Sequence, residues 1–226
     1  LYSGLAGVDP AVPADAAPPE LRIFHKSNTN FHLPGSVAPP LILIGPGTGV
    51  APFVGFLHHR TAIECKRLLS CDDACEGVWR GGFEIEEELL AGESSNVHQF
   101  ISETLPGPIH LFFGCRNEDD FLYKNDLQGH LTTGALTSLE VAMSRTQDDK
   151  IYVTHLLKQR GAEMASLLVD EGACVYVCGD GNHMAKDVNT ALLQILQEHA
   201  GMSEACAIEK IANLKLKRRY LQDIWS

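Results

Sequence analysis

Positive charge is scarce in this chain. Its 226 residues include 18 lysines and arginines against 29 aspartates and glutamates, a formal net charge of −11 at pH 7. An acidic surface of this kind disfavours binding to nucleic acids and to anionic membranes. No apolar run approaches the roughly 20 residues that a membrane-spanning helix needs. The composition therefore argues against a nucleic-acid partner and predicts no membrane segment in this chain.

Ordered cysteine patterns are also missing. The seven cysteines form an odd number in a chain too long to be a disulfide scaffold, which favours a reducing, cytoplasmic setting. Cys65, Cys71 and Cys75 lie close together, but their spacing matches no common zinc pattern and no histidine completes it. We therefore predict no metal site.

The amino-terminal end lacks both a methionine and a secretory leader. The chain starts at Leu1 with no cleavage signal, so we expect it to be a domain cut from a longer protein. Residues 1–20 are rich in Ala, Pro, Gly and Asp, as in a linker. Residues 21–33 are predicted to carry one strand.

Buried strands and helices alternate after residue 40. Apolar runs predict strands at 41–44, 109–113, 136–143 and 174–178. Helical spacing predicts helices at 50–68, 119–130, 150–171 (one or two, broken near Gly161), 182–199 and 203–217. This order predicts an α/β fold: a doubly wound parallel sheet with helices on both faces and ligands at the carboxyl ends of its strands.

The chain between the first two predicted strands is longer than a crossover between parallel strands requires, and residues 70–108 account for the excess length. They contain an acidic run at 84–88, several glycines and the sequence Pro-Gly-Pro. We predict an insertion that is a solvated surface excursion; the alternative is a docking surface for a partner.

A glycine-rich turn follows the first predicted strand, in the sequence LILIGPGTGVAPF. Gly45, Gly47 and Gly49 permit close backbone approach, and Thr48 adds a hydroxyl for a pyrophosphate oxygen. Because a helix begins there, its free N–H groups favour phosphate. No lysine follows the glycines, so this is not a Walker loop. A plain tight turn is the alternative.

Ser144, Arg145 and Lys150 follow the third predicted strand. Charge-assisted hydrogen bonds to phosphate are worth about 1.5–3 kcal/mol each, so two of them would favour NADPH over NADH by about 10²-fold. An acidic residue here would instead suit the ribose hydroxyls of NAD. The alternative is a solvated loop with ordinary charges. Tyr152 is placed to cover an adenine ring, with a core tyrosine as the alternative.

The last predicted strand ends at Cys178-Gly179-Asp180, which places Cys178 near a nicotinamide; a buried structural cysteine is the alternative. No Ser-His-Asp or Cys-His-Asn order supports covalent catalysis, and His183 is predicted to be a capping or surface residue. Trp225 is predicted to be either a packed carboxyl-terminal anchor or an aromatic lid over a flat cofactor.

Together these segments resemble the NADPH-binding half of the ferredoxin–NADP⁺ reductase family, specifically the diflavin reductases. The matching strings are GPGTGVAPF, FFGCRNEDDF, Ser-Arg-x₄-Lys-Ile-Tyr-Val, VYVCGD, HMAKDV and the terminal Asp-Ile-Trp-Ser. The resemblance covers residues 21–226 apart from the insertion. The strings FHLP and RRYLQDIWS favour the branch that serves methionine synthase, whereas YVTHLLKQ favours the branch that serves microsomal haemoproteins.

The resemblance implies roles for individual residues. It implies that NADP(H) is bound by Gly47, Thr48, Gly49, Arg116, Ser144, Arg145, Lys150, Tyr152, Asp180, Asp187 and Trp225. It also implies that Cys178 and Asp223 tune hydride transfer and that Trp225 shields the FAD ring. Thr154 stands where the family usually has glutamine.

The resemblance implies two parts of the chain: residues 1–40 as a linker and remnant of the FAD-binding barrel, and residues 41–226 as the NADP(H)-binding domain. FAD and FMN are then expected on further domains of the full-length protein, which are expected partners. Hydride would pass from NADPH to FAD, and electrons through FMN to a protein acceptor, with the cobalamin of methionine synthase favoured. A non-catalytic NADPH-binding scaffold module is the alternative of another class.

Overall fold

The computed structural model describes residues 30–69 and 105–225, except 148 and 182. In that part of the chain five strands form one sheet: β1 (Leu41–Pro46), β2 (Ile109–Cys115), β3 (Ser138–Met143), β4 (Cys174–Asp180) and β5 (Tyr220–Trp225). The strand order is β3-β2-β1-β4-β5, and every neighbouring pair is parallel. The predicted α/β fold with a parallel sheet is confirmed.

Six α-helices flank the sheet within the described residues. They are α1 (Ala51–Leu69), α2 (Lys124–Thr133), α3 (Val153–Gln159), α4 (Gly161–Val169), α5 (Met184–Ala200) and α6 (Glu204–Leu216). None of these helices is long and apolar enough to cross a membrane. The break predicted near Gly161 is confirmed, because α3 ends at Gln159 and α4 begins at Gly161.

The start predicted for the second helix is wrong. Residues Glu118–Asp120 form a separate 3₁₀ turn, and α2 begins only at Lys124. The side chain of Asn117 caps that turn by accepting a hydrogen bond from the Asp120 N–H. Tyr123 then adopts a left-handed backbone with φ +56°, which interrupts the helical path.

The sequence pattern predicts no strand after residue 217, yet β5 pairs with β4 at one edge of the sheet. Its burial fades along its length, from a buried Tyr220 to a half-exposed Trp225. An edge strand covered over only part of its length has no continuous apolar run, so the pattern conceals it. Of the strand considered at 21–33, residues 30–33 are not in a strand. The rest of that segment, the linker at 1–20, Cys71, Cys75 and most of the 70–108 insertion lie outside the described residues.

Side chains of the strands alternate between two apolar cores, as strand geometry requires. Ile42, Ile44 and Val175 point to one face, where they pack with residues of α3, α4, α5 and α6. Leu41 and Leu43 point to the other face, where they pack with residues of α1 and α2. All five side chains are fully buried, and each contributes roughly 1.5–3 kcal/mol on burial. Helices therefore cover both faces, as the sequence predicts.

Arg60 of α1 joins two segments that lead into the sheet. Its guanidinium, only 6% exposed, donates to the carbonyl oxygens of Val37 (2.9 Å) and Gly107 (3.4 Å). The Gly107 N–H also donates to the Val37 carbonyl oxygen at 2.9 Å. A Cβ on Gly107 would lie 2.2 Å from the carbonyl oxygen of Ala38, so only glycine permits this contact. The segments entering β1 and β2 are therefore held side by side.

The strand order determines where a ligand can enter. From β1 the sheet extends through β2 and β3 on one side and through β4 and β5 on the other. Because all five strands are parallel, their carboxyl ends lie along the same side of the sheet. The direction in which successive strands are added reverses between β1 and β4. In open parallel sheets the crevice at such a switch point is the usual ligand site.

Candidate functional site

A cavity of about 760 Å³ opens at this carboxyl edge, among the ends of β1, β2, β3 and β4. Its volume falls within the roughly 300–1,000 Å³ typical of small-molecule and cofactor sites. The lining includes seven residues that the sequence predicts to bind a nucleotide: Gly47, Thr48, Arg116, Ser144, Tyr152, Asp180 and Asp187. The structure thus brings together residues that are up to 140 positions apart in the chain.

The glycine turn after β1 lines the cavity with Gly47 and Thr48. Two of its glycines are required for different reasons. A Cβ on Gly49 would lie 2.0 Å from the carbonyl oxygen of Cys178, so glycine is needed for the turn to lie against β4. Gly47 has φ +58° and no atom within 4 Å of a built Cβ. A left-handed backbone with open space above it suits the close approach of a phosphate, which fits a dinucleotide.

Arg116 follows β2 and is held by an acidic partner. Its Nε and Nη2 atoms donate to the two carboxylate oxygens of Asp120, at 2.6 and 3.1 Å. Hydrogen bonding from Arg116 lowers the pKa of Asp120, and the positive charges of Arg116 and Arg145 act in the same direction. The sequence predicts Asp120 to lie in the first turn of a helix over 119–130, whereas in the structure its carboxylate pairs with Arg116. The spacing of four residues from Arg116 is a signal that could have indicated it.

The residues predicted to hold the 2′-phosphate form what we call the rim: Ser144 lines the cavity, and Arg145 and Lys150 directly adjoin the lining residues Ser144 and Ile151 in the chain. The Ser144 N–H donates to the carbonyl oxygen of Cys115 at 3.0 Å, and the Ser144 hydroxyl donates to the same oxygen at 3.4 Å. The Arg145 N–H donates to the carbonyl oxygen of Arg116 at 2.8 Å, which ties the loops after β2 and β3 together. Arg145 and Lys150 are exposed and do not line the cavity. The rim therefore offers a hydroxyl beside accessible cations.

Tyr152 precedes α3 and lines the cavity with a side chain that is 48% exposed. The alternative of a core tyrosine is therefore wrong. Thr154, where the resemblance leads us to expect a glutamine, also lines the cavity. An exposed aromatic ring beside a threonine hydroxyl suits contact with a flat polar ring such as adenine.

The end of β4 contributes Asp180 to the lining but not Cys178. Cys178 is 2% exposed and packs in the core beside α1. It pairs in register with Asp223, as Asp180 pairs with Trp225. Trp225 is 48% exposed, so its side chain is not packed into the core. Asp223 and Trp225 also lie outside the lining, and the roles given to Cys178, Asp223 and Trp225 in hydride transfer stay predictions.

The Cys178 thiol is expected to resist alkylation. Burial, with the nearby charge of Asp223 acting the same way, raises its pKa to about 12. At pH 8 the thiol is then protonated, and the thiolate is the reactive form. Cys206 is exposed and serves as the internal control. Mass mapping after brief iodoacetamide treatment of the folded chain should find Cys206 modified and Cys178 unmodified. Equal labelling of the two would contradict this environment.

Several lining residues were not identified from the sequence as ligand contacts. Asp119 and Leu122 enter from the loop after β2, and His183 and Met184 enter from the start of α5. His183 is exposed and precedes α5 without capping it through its side chain. Their position just beyond a predicted strand was one signal, and Asp119, His183 and Met184 also lie within the strings FFGCRNEDDF and HMAKDV. Within the described ranges, no group of three or more His, Cys, Asp or Glu side chains is arranged to hold a metal ion.

Comparison with known proteins places this site in a family. Residues 43–190 match the family described as the oxidoreductase NAD-binding domain, and the chain belongs to that family. It is 37% identical over 221 residues to methionine synthase reductase of Rattus norvegicus, which covers 94% of the chain and 27% of that protein. It is 35% identical over 218 residues to methionine synthase reductase of Homo sapiens (93% of the chain, 26% of that protein).

A third relative has a different name. The chain is 36% identical over 207 residues to the sulfite reductase [NADPH] flavoprotein alpha-component of Shigella flexneri, which covers 91% of the chain and 28% of that protein. The chain thus spans about a quarter of the length of these relatives. The predicted resemblance to the diflavin reductases is confirmed, and the match to a sulfite reductase component was not anticipated from the sequence.

Proposed function

We propose that this chain is the NADPH-binding domain of a diflavin reductase that passes hydride from NADPH to FAD and electrons through FMN to a protein acceptor. The observation that carries the proposal is the cavity at the switch point, where the Gly47 turn, Ser144 and Tyr152 line one crevice. NADPH, when bound, supplies a hydride from its nicotinamide ring. FAD and FMN would be held by further domains of the full-length protein.

The chain's own residues divide the binding work along the crevice. The open backbone at Gly47 and the exposed hydroxyl of Thr48 would hold the pyrophosphate. A guanidinium has five N–H donors, and Arg116 uses only part of this capacity on Asp120. Its remaining donors are available to a phosphate oxygen. Asp180 and Asp187 would contact polar groups of the coenzyme.

At the other end of the crevice, the Ser144 hydroxyl would turn from the Cys115 carbonyl oxygen to donate to the 2′-phosphate, with Arg145 and Lys150 supplying charge from the rim. A phosphate bound by exposed cations gains less than a buried one because water screens the charges. Two cations and a hydroxyl together still distinguish NADP(H) from NAD(H), which carries a hydroxyl at that position. The binding preference is thus the property most specific to this proposal.

We propose that Cys178 tunes hydride transfer as a neutral thiol, because burial raises its pKa to about 12. Asp223 lies beside it in the next strand. Trp225 ends β5 with a half-exposed side chain, as expected of a residue that covers a flavin ring held by another domain.

The acceptor is proposed to be the cobalamin of methionine synthase, and the setting the cytoplasm. Support comes from the two methionine synthase reductase relatives at 35–37% identity. The sulfite reductase relative at 36% identity supports a second candidate acceptor, a sulfite-reducing partner protein. A microsomal haemoprotein is supported only by the string YVTHLLKQ, and a non-catalytic NADPH-binding module would share the same site without hydride transfer.

We further propose that the chain divides into a linker and barrel remnant at residues 1–40 and a nucleotide-binding domain at residues 41–226, which contains the insertion.

Calorimetric titration of the 226-residue chain with NADP⁺ and separately with NAD⁺ tests the proposal. We expect NADP⁺ to bind at least about tenfold more tightly, since the two coenzymes differ only in the charged 2′-phosphate. A thermal melt by circular dichroism on the same sample verifies that the chain is folded. Equal or absent binding by a folded chain would contradict the proposal.

A further inference from the structure

Tyr152 needs a specific conformation to act as a surface for a bound ring. Its side chain is half-exposed at the cavity rim, and its backbone is extended, with φ −117° and ψ 163°, just before α3. An exposed side chain held only by its own backbone loses conformational entropy when a ligand packs on it. A neighbour that fixes Tyr152 beforehand would reduce that cost.

His155 is such a neighbour and makes three contacts with Tyr152. Its Nδ1 accepts a hydrogen bond from the Tyr152 N–H at 2.9 Å. The backbone N–H of His155 donates to the Tyr152 carbonyl oxygen at 2.9 Å. The two rings stack with centroids 5.9 Å apart and planes inclined by 30°. An imidazole whose Nδ1 accepts a hydrogen bond has its remaining N–H at Nε2.

The hydrogen bond to Nδ1 does what a glutamate or glutamine does at the third position of many helices, where the side chain reaches back to the capping residue's N–H. At this site the captured residue is the one whose ring lines the cavity. Restraining the backbone of Tyr152 therefore also restrains the direction of its side chain.

We propose that His155 is a positioning residue for the adenosine end of the coenzyme, acting through Tyr152. This inference rests on the proposed function. It assigns His155 no direct contact with the coenzyme: the histidine fixes the backbone of Tyr152 by accepting its N–H, and the stacked ring adds a smaller restraint. The half of the coenzyme affected is the half that carries the 2′-phosphate.

Three substitutions at His155 separate the contribution of its hydrogen-bond acceptor from that of its ring. His155→Ala removes acceptor and ring, His155→Phe keeps a ring without an acceptor, and His155→Gln keeps an acceptor without a ring. Lys158→Ala, an exposed change one turn further along α3, is the matched control. We expect His155→Ala and His155→Phe to weaken binding of adenosine 2′,5′-bisphosphate by about fivefold, and His155→Gln to remain within about twofold of the unmodified chain.

A double-mutant cycle distinguishes positioning from general support of the fold. In a chain carrying Tyr152→Ala, the further change His155→Ala should alter binding of adenosine 2′,5′-bisphosphate by less than about twofold, since the residue it positions is gone. Additive losses would overturn the inference, as would full binding by His155→Phe or by His155→Ala. If the unmodified, folded chain binds neither NADP⁺ nor the bisphosphate, the proposed function itself fails, before any variant is compared.

Discussion

Replacing both rim cations, Arg145→Ala with Lys150→Ala, should weaken NADP⁺ binding by about 10²-fold and change NAD⁺ binding by less than about twofold. Both side chains are exposed at the loop after β3. The Arg145 backbone is bonded to Arg116, so the loop is held in place and the loss should come from charge. Each single change should cost about tenfold, as measured by calorimetry at one fixed salt concentration.

The matched control for this pair removes the same charge elsewhere. Lys217 and Arg218 are exposed just before β5 begins. They therefore lie at the amino-terminal ends of the strands, whereas the cavity lies at the carboxyl ends. Changing both to glutamine should leave the preference for NADP⁺ unaltered. A similar loss for the two coenzymes in the rim variant, or for NADP⁺ in the control, would contradict a 2′-phosphate site at the rim.

A single methyl group on Gly49 should be among the most damaging substitutions in the chain. The added Cβ would lie 2.0 Å from the Cys178 carbonyl oxygen and 2.7 Å from its carbonyl carbon. Both atoms belong to the backbone of the buried strand β4, which cannot move without disturbing its pairing with β1 and β5. We expect Gly49→Ala to lower the free energy of unfolding by about 3 kcal/mol or more.

Two other glycines calibrate this effect in urea unfolding followed by circular dichroism. Gly55→Ala, within α1 where no atom lies within 4 Å of the new Cβ, should raise the free energy of unfolding by about 0.5–1 kcal/mol. Gly47→Ala meets no steric contact but keeps φ at +58°, and should cost about 1–2 kcal/mol. If Gly49→Ala were no worse than Gly47→Ala, the close contact with β4 would not exist as described.

Those parts of the fold that are buried on both sides could be predicted from the sequence. Strands β1 and β4 begin with continuous apolar runs because helices cover both faces, and the run in β2 is interrupted only by His110. Helix α5 shows regular apolar spacing because one side packs on the sheet. Strand β5 could not be found in this way. Its burial ends halfway along, and its pairing with β4 depends on a neighbour more than 40 residues away in the chain.

The site could be predicted only up to the point where loops meet. Seven predicted residues line one cavity because strand ends of a parallel sheet converge. The ion pair between Arg116 and Asp120 was missed, because the sequence predicts Asp120 to lie in the first turn of a helix over 119–130. Sequence also could not tell that Cys178 points into the core beside α1, because strand alternation gives parity but not which face borders the cavity.

The contact made by Arg60 joins the amino-terminal ends of two neighbouring strands to a helix. Because one cation binds the carbonyl oxygens of both Val37 and Gly107, the loss of that cation would loosen the segments that enter β1 and β2 at the same time. The contact lies at the amino-terminal ends of the strands, whereas the cavity lies at their carboxyl ends. A change at Arg60 would therefore reach ligand binding only through the stability of the sheet, and it would be detected as easier unfolding rather than as an altered coenzyme preference.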